Sequence, residues 1–227
     1  MFENAELGHS VDKQTYKSEA PALRSRLLSL QKRLANASCA VAVVIDGLPA
    51  AGKSETVNGL LEWLDARGVQ VHAQRELTEE EKQRPPMYRY WRALPATGRM
   101  AVFFGGWEQS PLLRRAFGKA SEAQLEAAFR RYVDFEKMLS QENTLVIKVW
   151  LHLSKDALKR RLRKLSRNPA QAWRVTSRDR KVLRRYGSFR EAAERMIRDT
   201  STPEAPWNVL EATDPRYRML TAARVIA

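Results

Sequence analysis

Seven uninterrupted apolar residues, Cys39 to Ile45 in "CAVAVVID", run straight into the loop Gly47-Leu48-Pro49-Ala50-Ala51-Gly52-Lys53-Ser54. A strand that is apolar on both faces has to be covered on both sides, as in the centre of a parallel α/β sheet. The segment after the loop, "SETVNGLLEWLDARG", has the period of an amphipathic helix. The loop therefore sits between a buried strand and a helix, the context its spacing requires. Its glycines let backbone N–H groups face phosphate oxygens, its lysine can reach outer phosphates, and its serine hydroxyl can hold magnesium. Gly47, Gly52, Lys53 and Ser54 are thus candidate phosphate-binding residues, with Ser54 the candidate magnesium ligand. Pro49 interrupts the pattern with a residue that has no N–H to offer.

Further strands are expected at "VQVHA", "RMAVFF", "TLVIKVWLHLS" and "WNVLEA", with "SEAQLEAAFRRYVDFEKMLSQEN" as a crossover helix and "DPRYRMLTAARVIA" as a last helix. The expected fold is a three-layer α/β domain with a parallel, P-loop kinase-like sheet. Leu23, Leu27, Leu30 and Leu34 mark an amphipathic helix ahead of it. This divides the chain into a helical extension at 1–38 and a phosphate-loop domain at 39–227. A chain of 227 residues with 44% hydrophobic content suffices for such a core. The single cysteine, Cys39, excludes an internal disulfide and suits a reducing compartment. The opening "MFENAELGHSVDK" carries acids and no long apolar stretch, and no later apolar run nears membrane-spanning length. A soluble, cytoplasmic protein without a membrane partner is expected.

The formal net charge is +14, and its position is informative: between Lys155 and Arg198 there are 16 Lys and Arg against four acids. That density attracts a polyanion, whether nucleic acid, a nucleotide or an inorganic phosphate chain; its plain alternative is a solvated helix face. Within it "SRNPAQAWRVTSRD" breaks a helix, as in a basic lid, at about 155–198, that closes over phosphates and excludes water. "RPPMYRYWRALPATGR" offers Arg89, Arg92 and Arg99 as substrate contacts, or as arginines lying along packed Tyr88, Tyr90 and Trp91. Phosphoryl transfer also needs a carboxylate near the loop. Asp46, Glu55 and Glu108 are the nearest in sequence, each with a plain alternative as a helix-end or surface charge. His9, His72 and His152 have no metal-ligand spacing.

Together, "DGLPAAGKSETVNGLLEWLDARGVQV", "RPPMYRYWRALPATGRMAVFFGGW", "LVIKVWLHLSKDALKRRL" and "APWNVLEATDPRYR" resemble the polyphosphate kinase 2 family in order and spacing. The N-terminal segment further resembles the opening of the family's two-domain branch, the polyphosphate:AMP phosphotransferases. The resemblance implies phosphoryl transfer between inorganic polyphosphate and a nucleotide, AMP or ADP, with magnesium. It also implies a mobile lid, in which Arg174, Arg178 and Asp179 fall, and either a fused second domain or a homo-oligomer as partner.

The chain departs from that pattern where charge matters. Active members of the family carry an acid in the loop where this chain has Pro49, an Asp-Arg pair where it has Phe104 and Gly105, and an Asn-Arg pair where it has Gln109 and Ser110. Scaffold positions such as Trp107 and Trp150 still match. Three readings follow: a family domain with weak or no catalysis of its own, an active phosphotransferase in which Asp46, Glu55 or Glu108 replaces the lost acids, and a basic nucleic-acid-binding module. The first accounts for the joint loss of charged positions, since one missing electrostatic stabiliser costs about a hundredfold in rate.

Overall fold

The computed structural model describes all 227 residues. After a turn at Phe2–Ala5 come α1 (Lys13–Leu34), β1 (Ala40–Gly47), α2 (Lys53–Trp63), β2 (Val69–Ala73) and the single-turn helices α3 (Glu79–Lys82) and α4 (Tyr88–Trp91). Then follow β3 (Met100–Phe104), α5 (Gln109–Ala116), α6 (Glu122–Gln141), β4 (Thr144–His152), α7 (Lys155–Arg167) and α8 (Ser177–Arg184). The chain closes with α9 (Tyr186–Thr200), β5 (Trp207–Glu211) and α10 (Pro215–Ile226). No helix is long and apolar enough to cross a membrane.

The five strands form one parallel sheet in the order β2–β3–β1–β4–β5, and each expected strand run forms. The central position of β1 explains its unbroken apolar composition: all eight of its residues are buried. Parallel pairing places every strand's C-terminal end on one edge, where α/β folds bind ligands. Arg99 lies at the other edge. It precedes β3, and its guanidinium donates to the Arg67 carbonyl at 2.5 Å, which corrects its reading as a substrate contact.

Helix α1 forms as expected. Asp12 caps it by accepting from the Gln14 and Thr15 amides, and Leu27 and Leu34 are buried. It lies along α10, where Arg26 donates to the Ala227 carbonyl and Arg224 pairs with Glu19. The first residues are also tied down. Phe2 is wholly buried and stacks on His152 with ring centroids 4.0 Å apart. Glu6 pairs with His152 Nε2 at 2.8 Å, and the amides of Gly8 and His9 donate to Glu211.

β1 pairs with β4 along its whole length, from Ala40 opposite Thr144 to Gly47 opposite Leu151. Gly47 has φ 139°, and a Cβ there would land on the Leu151 backbone. Only glycine can end the strand at this separation. Gly47→Ala is therefore expected to lower stability by roughly 2–4 kcal/mol, combining left-handed strain with a backbone clash, measurable as a reduced urea midpoint.

Candidate phosphate-binding site

The loop turns sharply after β1. Leu48 N–H donates to the Leu151 carbonyl at 3.1 Å, and Ala51 N–H donates to the Leu48 carbonyl at 3.3 Å. Between them Pro49 takes the second place of a β-turn, and Ala50, with φ 55°, the left-handed third. Proline is favoured at that second place because its φ is already set. Pro49 therefore preserves the loop's shape while contributing neither an amide nor an acid. Gly52, φ 93°, precedes the first turn of α2, whose N–H groups have no acceptor within the helix. An anion is stabilised at such a helix start by those free donors and the helix dipole.

Around the loop, a small cavity of about 120 Å³ is lined by Asp46, Gly47, Pro49, Lys53, Gln109, Arg178 and Asp179, closed by Leu112, Leu113, Val182 and Phe189. The structure thus brings together residues up to 143 positions apart in sequence, from Asp46 to Phe189. Lys53 folds back, its Nζ donating to the carbonyls of Gly47 at 2.6 Å and Leu48 at 3.2 Å, and lying 3.8 Å from Asp46. Burial lowers its pKa, against the opposing pull of Asp46 and Asp179. Asp179 itself occupies the third position of α8, where it and Thr176 cap the helix reciprocally.

Two of the three candidate acids, Asp46 and Glu55, are held by hydrogen bonds, and the third, Glu108, is not. Asp46 is 1% exposed; its Oδ1 accepts from the Gly47 amide at 2.7 Å and from Gln109 Nε2 at 3.1 Å, and its Oδ2 accepts from the Gly106 amide at 3.1 Å. Glu55, in the first turn of α2, accepts from Arg161 at 2.7 Å and Arg174 at 3.2 Å. Arg174 also reaches the Ser54 hydroxyl at 3.4 Å. Glu108 is the correction. It is fully buried, 3.9 Å from Lys148, with no hydrogen-bond partner for either carboxyl oxygen. It belongs to an ionic cluster with Lys148 and Glu136 and does not line the loop cavity, although the Asp46 carboxylate is near enough to help raise its pKa.

In that cluster Lys148 Nζ, also wholly buried, donates to Glu136 Oε2 at 2.6 Å and to the Thr200 carbonyl at 2.8 Å, and lies 4.9 Å from the centre of the Trp207 ring. Trp107 Nε1 donates to Glu136 Oε1 at 2.9 Å. Burial raises the pKa of both carboxyls, and Glu136 raises that of Glu108 further. Glu136 has two donors to stabilise its charge, so Glu108 is the one that keeps its proton.

A larger cleft of about 990 Å³ opens beside the loop. Arg75, Lys82, Arg84, Arg89, Arg114, Lys119, Arg178, Lys181 and Arg184 line it, against only Glu76 and Glu81. Arg89 is held by Glu81 at 2.9 Å and donates to the Arg75 carbonyl at 2.8 Å. Arg92 lines a neighbouring recess and lies over the Tyr88 ring at 5.6 Å.

Sequence reasoning missed Arg114, Lys119 and Arg218. Arg114 was signalled only as an ordinary cation in the last turn of α5, and Lys119 only as a cation just beyond it. Arg218 gave no signal, yet it is 4% exposed and packs beneath the loop, where a Cβ on Gly52 would overlap its guanidinium. It donates to Thr56 Oγ1 at 3.1 Å and to the Ala212 carbonyl at 3.1 Å.

A glycine loop leaving the central strand of a five-stranded parallel sheet, with lysine at the next helix start, places the chain among the P-loop kinase-like α/β proteins. Within that class it belongs to the polyphosphate kinase 2 (PPK2) family, whose profile matches residues 10–227. It is 42% identical over 227 residues to a polyphosphate:AMP phosphotransferase of Pseudomonas syringae pv. tomato, covering 100% of this chain and 46% of that protein. The chain thus spans about half that relative's length. It is 30% identical to an AMP/ADP-polyphosphate phosphotransferase of Meiothermus ruber, covering 90% of this chain and 77% of that one. The solved polyphosphate kinase 2 of Arthrobacter aurescens TC1 superposes with a TM-score of 0.90 at 28% identity, over 97% of this chain and 80% of its own.

Because the folded-state pKa of Glu108 lies above the ordinary value of 4.5, its protonated form favours folding, and that contribution fades as pH rises through the elevated pKa. Glu108→Gln keeps the shape of the neutral acid. It should match the wild type in chemical-denaturation stability below about pH 4.5 and become increasingly more stable than it as pH rises.

Proposed function

We propose that this chain is a domain for phosphoryl transfer between inorganic polyphosphate and a nucleotide, AMP rather than ADP, whose own catalysis is weak. Its service is then to capture polyphosphate and to support a second family domain or a second copy in a homo-oligomer. The names of the similar proteins support the substrate pair, and the cleft supports the polyanion: nine cations against two acids favour a long phosphate chain.

In this reading the amides after Gly52 and the lysine Lys53 receive phosphate oxygens, and Arg178, with Asp179 beside it, closes over them as part of a lid spanning about 155–198. Arg89 serves the larger cleft, and Arg174 is held in reserve at Ser54. Magnesium is usually bound by one or two protein oxygens together with substrate phosphates. Ser54 Oγ and the Asp46 carboxylate fit that small share, since both have lone pairs left after the contacts described. The ion would supply neutralisation of charge on the transferred group.

The observation that carries weak catalysis is that no replacement acid is left to orient an acceptor. Asp46 holds the loop, Glu55 holds arginines, and Glu108 is buried and inclined to stay protonated. With Pro49, Phe104 and Gly105 standing where the family pattern has charge, none of these is free to orient an acceptor.

The test is transfer by the purified chain with polyphosphate, magnesium and AMP, ADP or GDP, beside Lys53→Ala and Pro49→Asp. The expected result is wild-type transfer close to the Lys53→Ala background, a gain of roughly tenfold to a hundredfold in Pro49→Asp, and salt-sensitive polyphosphate binding. Transfer that scales with wild-type protein and lies about a hundredfold above Lys53→Ala would overturn weak catalysis. Equal affinity for duplex DNA and polyphosphate at one ionic strength would instead favour the nucleic-acid reading.

A further inference from the structure

Three arginines from three separate elements converge on Glu55. Arg161 comes from α7, Arg174 from the turn at Ala172–Arg174, and Arg218 from α10. The two carboxylate oxygens are divided between them. Oε1 accepts from Arg161 and Arg174, while Oε2 is buried, accepts no hydrogen bond, and lies 3.6 Å from Arg218 Nη2.

The three partners differ in their freedom. Arg218 is 5% exposed in its side chain and fixed by Thr56 and the Ala212 carbonyl. Burial lowers its pKa, and the neighbouring Glu55 carboxylate opposes that shift. Arg161 and Arg174 are 31% and 26% exposed and belong to the basic segment that reaches across to α2. Arg174 touches Glu55 and, at the same time, the hydroxyl of Ser54.

A carboxylate in the first turn of α2 would repel a phosphate bound at that helix start. Surrounded by arginines, it has another use. We propose that Glu55 is a positioning residue that parks Arg161 and Arg174 above the phosphate loop, and that Arg218 is its permanent partner. A bound phosphate chain then takes over Arg174, whose planar fork matches phosphate as well as carboxylate. Glu55 does not become an isolated charge when this happens, because Arg218 remains. The same exchange frees the Ser54 oxygen from Arg174. Glu55 thus acts through the arginines and needs no contact with the reacting atoms, which is why it is unsuited to replace a missing catalytic acid.

The proposal rests on the reading that this loop binds phosphate chains, but its first test does not. Amide hydrogen exchange over residues 155–185 is compared in the wild type, Glu55→Gln and Glu55→Asp without ligand, and again with inorganic tripolyphosphate. Without ligand, Glu55→Gln should exchange about threefold to tenfold faster over this segment than the wild type, as expected for loss of partly exposed charge-assisted bonds. Glu55→Asp should recover part of the protection, and the sheet strands should be unchanged. Saturating tripolyphosphate should bring Glu55→Gln and the wild type to the same protection around Arg174, because phosphate replaces the carboxylate as that arginine's partner.

Equal exchange of Glu55→Gln and wild type without ligand would overturn the proposal, as would acceleration spread evenly over the sheet. So would a Glu55→Gln segment that stays unprotected around Arg174 with tripolyphosphate bound. If tripolyphosphate binds to neither protein, the phosphate-binding reading fails, while the ligand-free comparison still decides whether Glu55 parks the arginines.

Discussion

Eight consecutive residues of β1 pair with β4, and the last of them, Gly47, goes without a side chain because the Leu151 backbone fills that space. That close approach sets the position of everything after it. The Leu151 carbonyl accepts the Leu48 amide, the turn through Pro49 and Ala50 starts at a fixed height, and Lys53 folds back onto the carbonyls that result. From the partner strand, Lys148 extends into the opposite layer and ties β4 to α6 and to the end of α9 through Glu136 and the Thr200 carbonyl. A buried cation is tolerable only with partners of this quality. Together the strand pairing and the lysine fix the loop from both sides of the sheet.

The strands and the loop were legible in the sequence because their signals are local. Each strand is a short apolar run bounded by polar or turn residues, and the loop's spacing sits between two such periodic segments. Ionic clusters are different, because they depend on which distant side chains meet. "TLVIKVWLHLS" did contain a hint: a lysine within a buried strand needs a partner. Glu136 carried the complementary hint, lying one turn beyond Tyr132 and beside Phe135 on the buried face of α6. Choosing Glu108 from its nearness in sequence to the third strand overlooked this cluster. Arg218 was illegible for another reason: an arginine on a final helix reads as a surface charge until the fold places Gly52 against it.

The site's chemistry is dominated by cations whose partners differ in permanence. Arg218 is bound on several sides, Arg89 is held by Glu81, and Arg178 lines the small cavity with Lys53 and Asp179. Anions supplied by the protein itself occupy many of these groups. Under the proposed function, a phosphate ligand would have to compete with carboxylates and carbonyl oxygens already in place, and chain length would help it, since each added phosphate could exchange one more partner.

The buried position of Phe2 has a practical bearing on where this unit can be cut. The family profile begins at residue 10, and a boundary drawn there would discard Phe2 and the Glu6 carboxylate. What would be lost is a plug: the aromatic ring that covers His152 and the acid that pairs with it, both at the strand end from which the basic helix α7 departs. The family profile marks the residues common to the whole family, whereas the folding unit extends as far as the last side chain that the core needs.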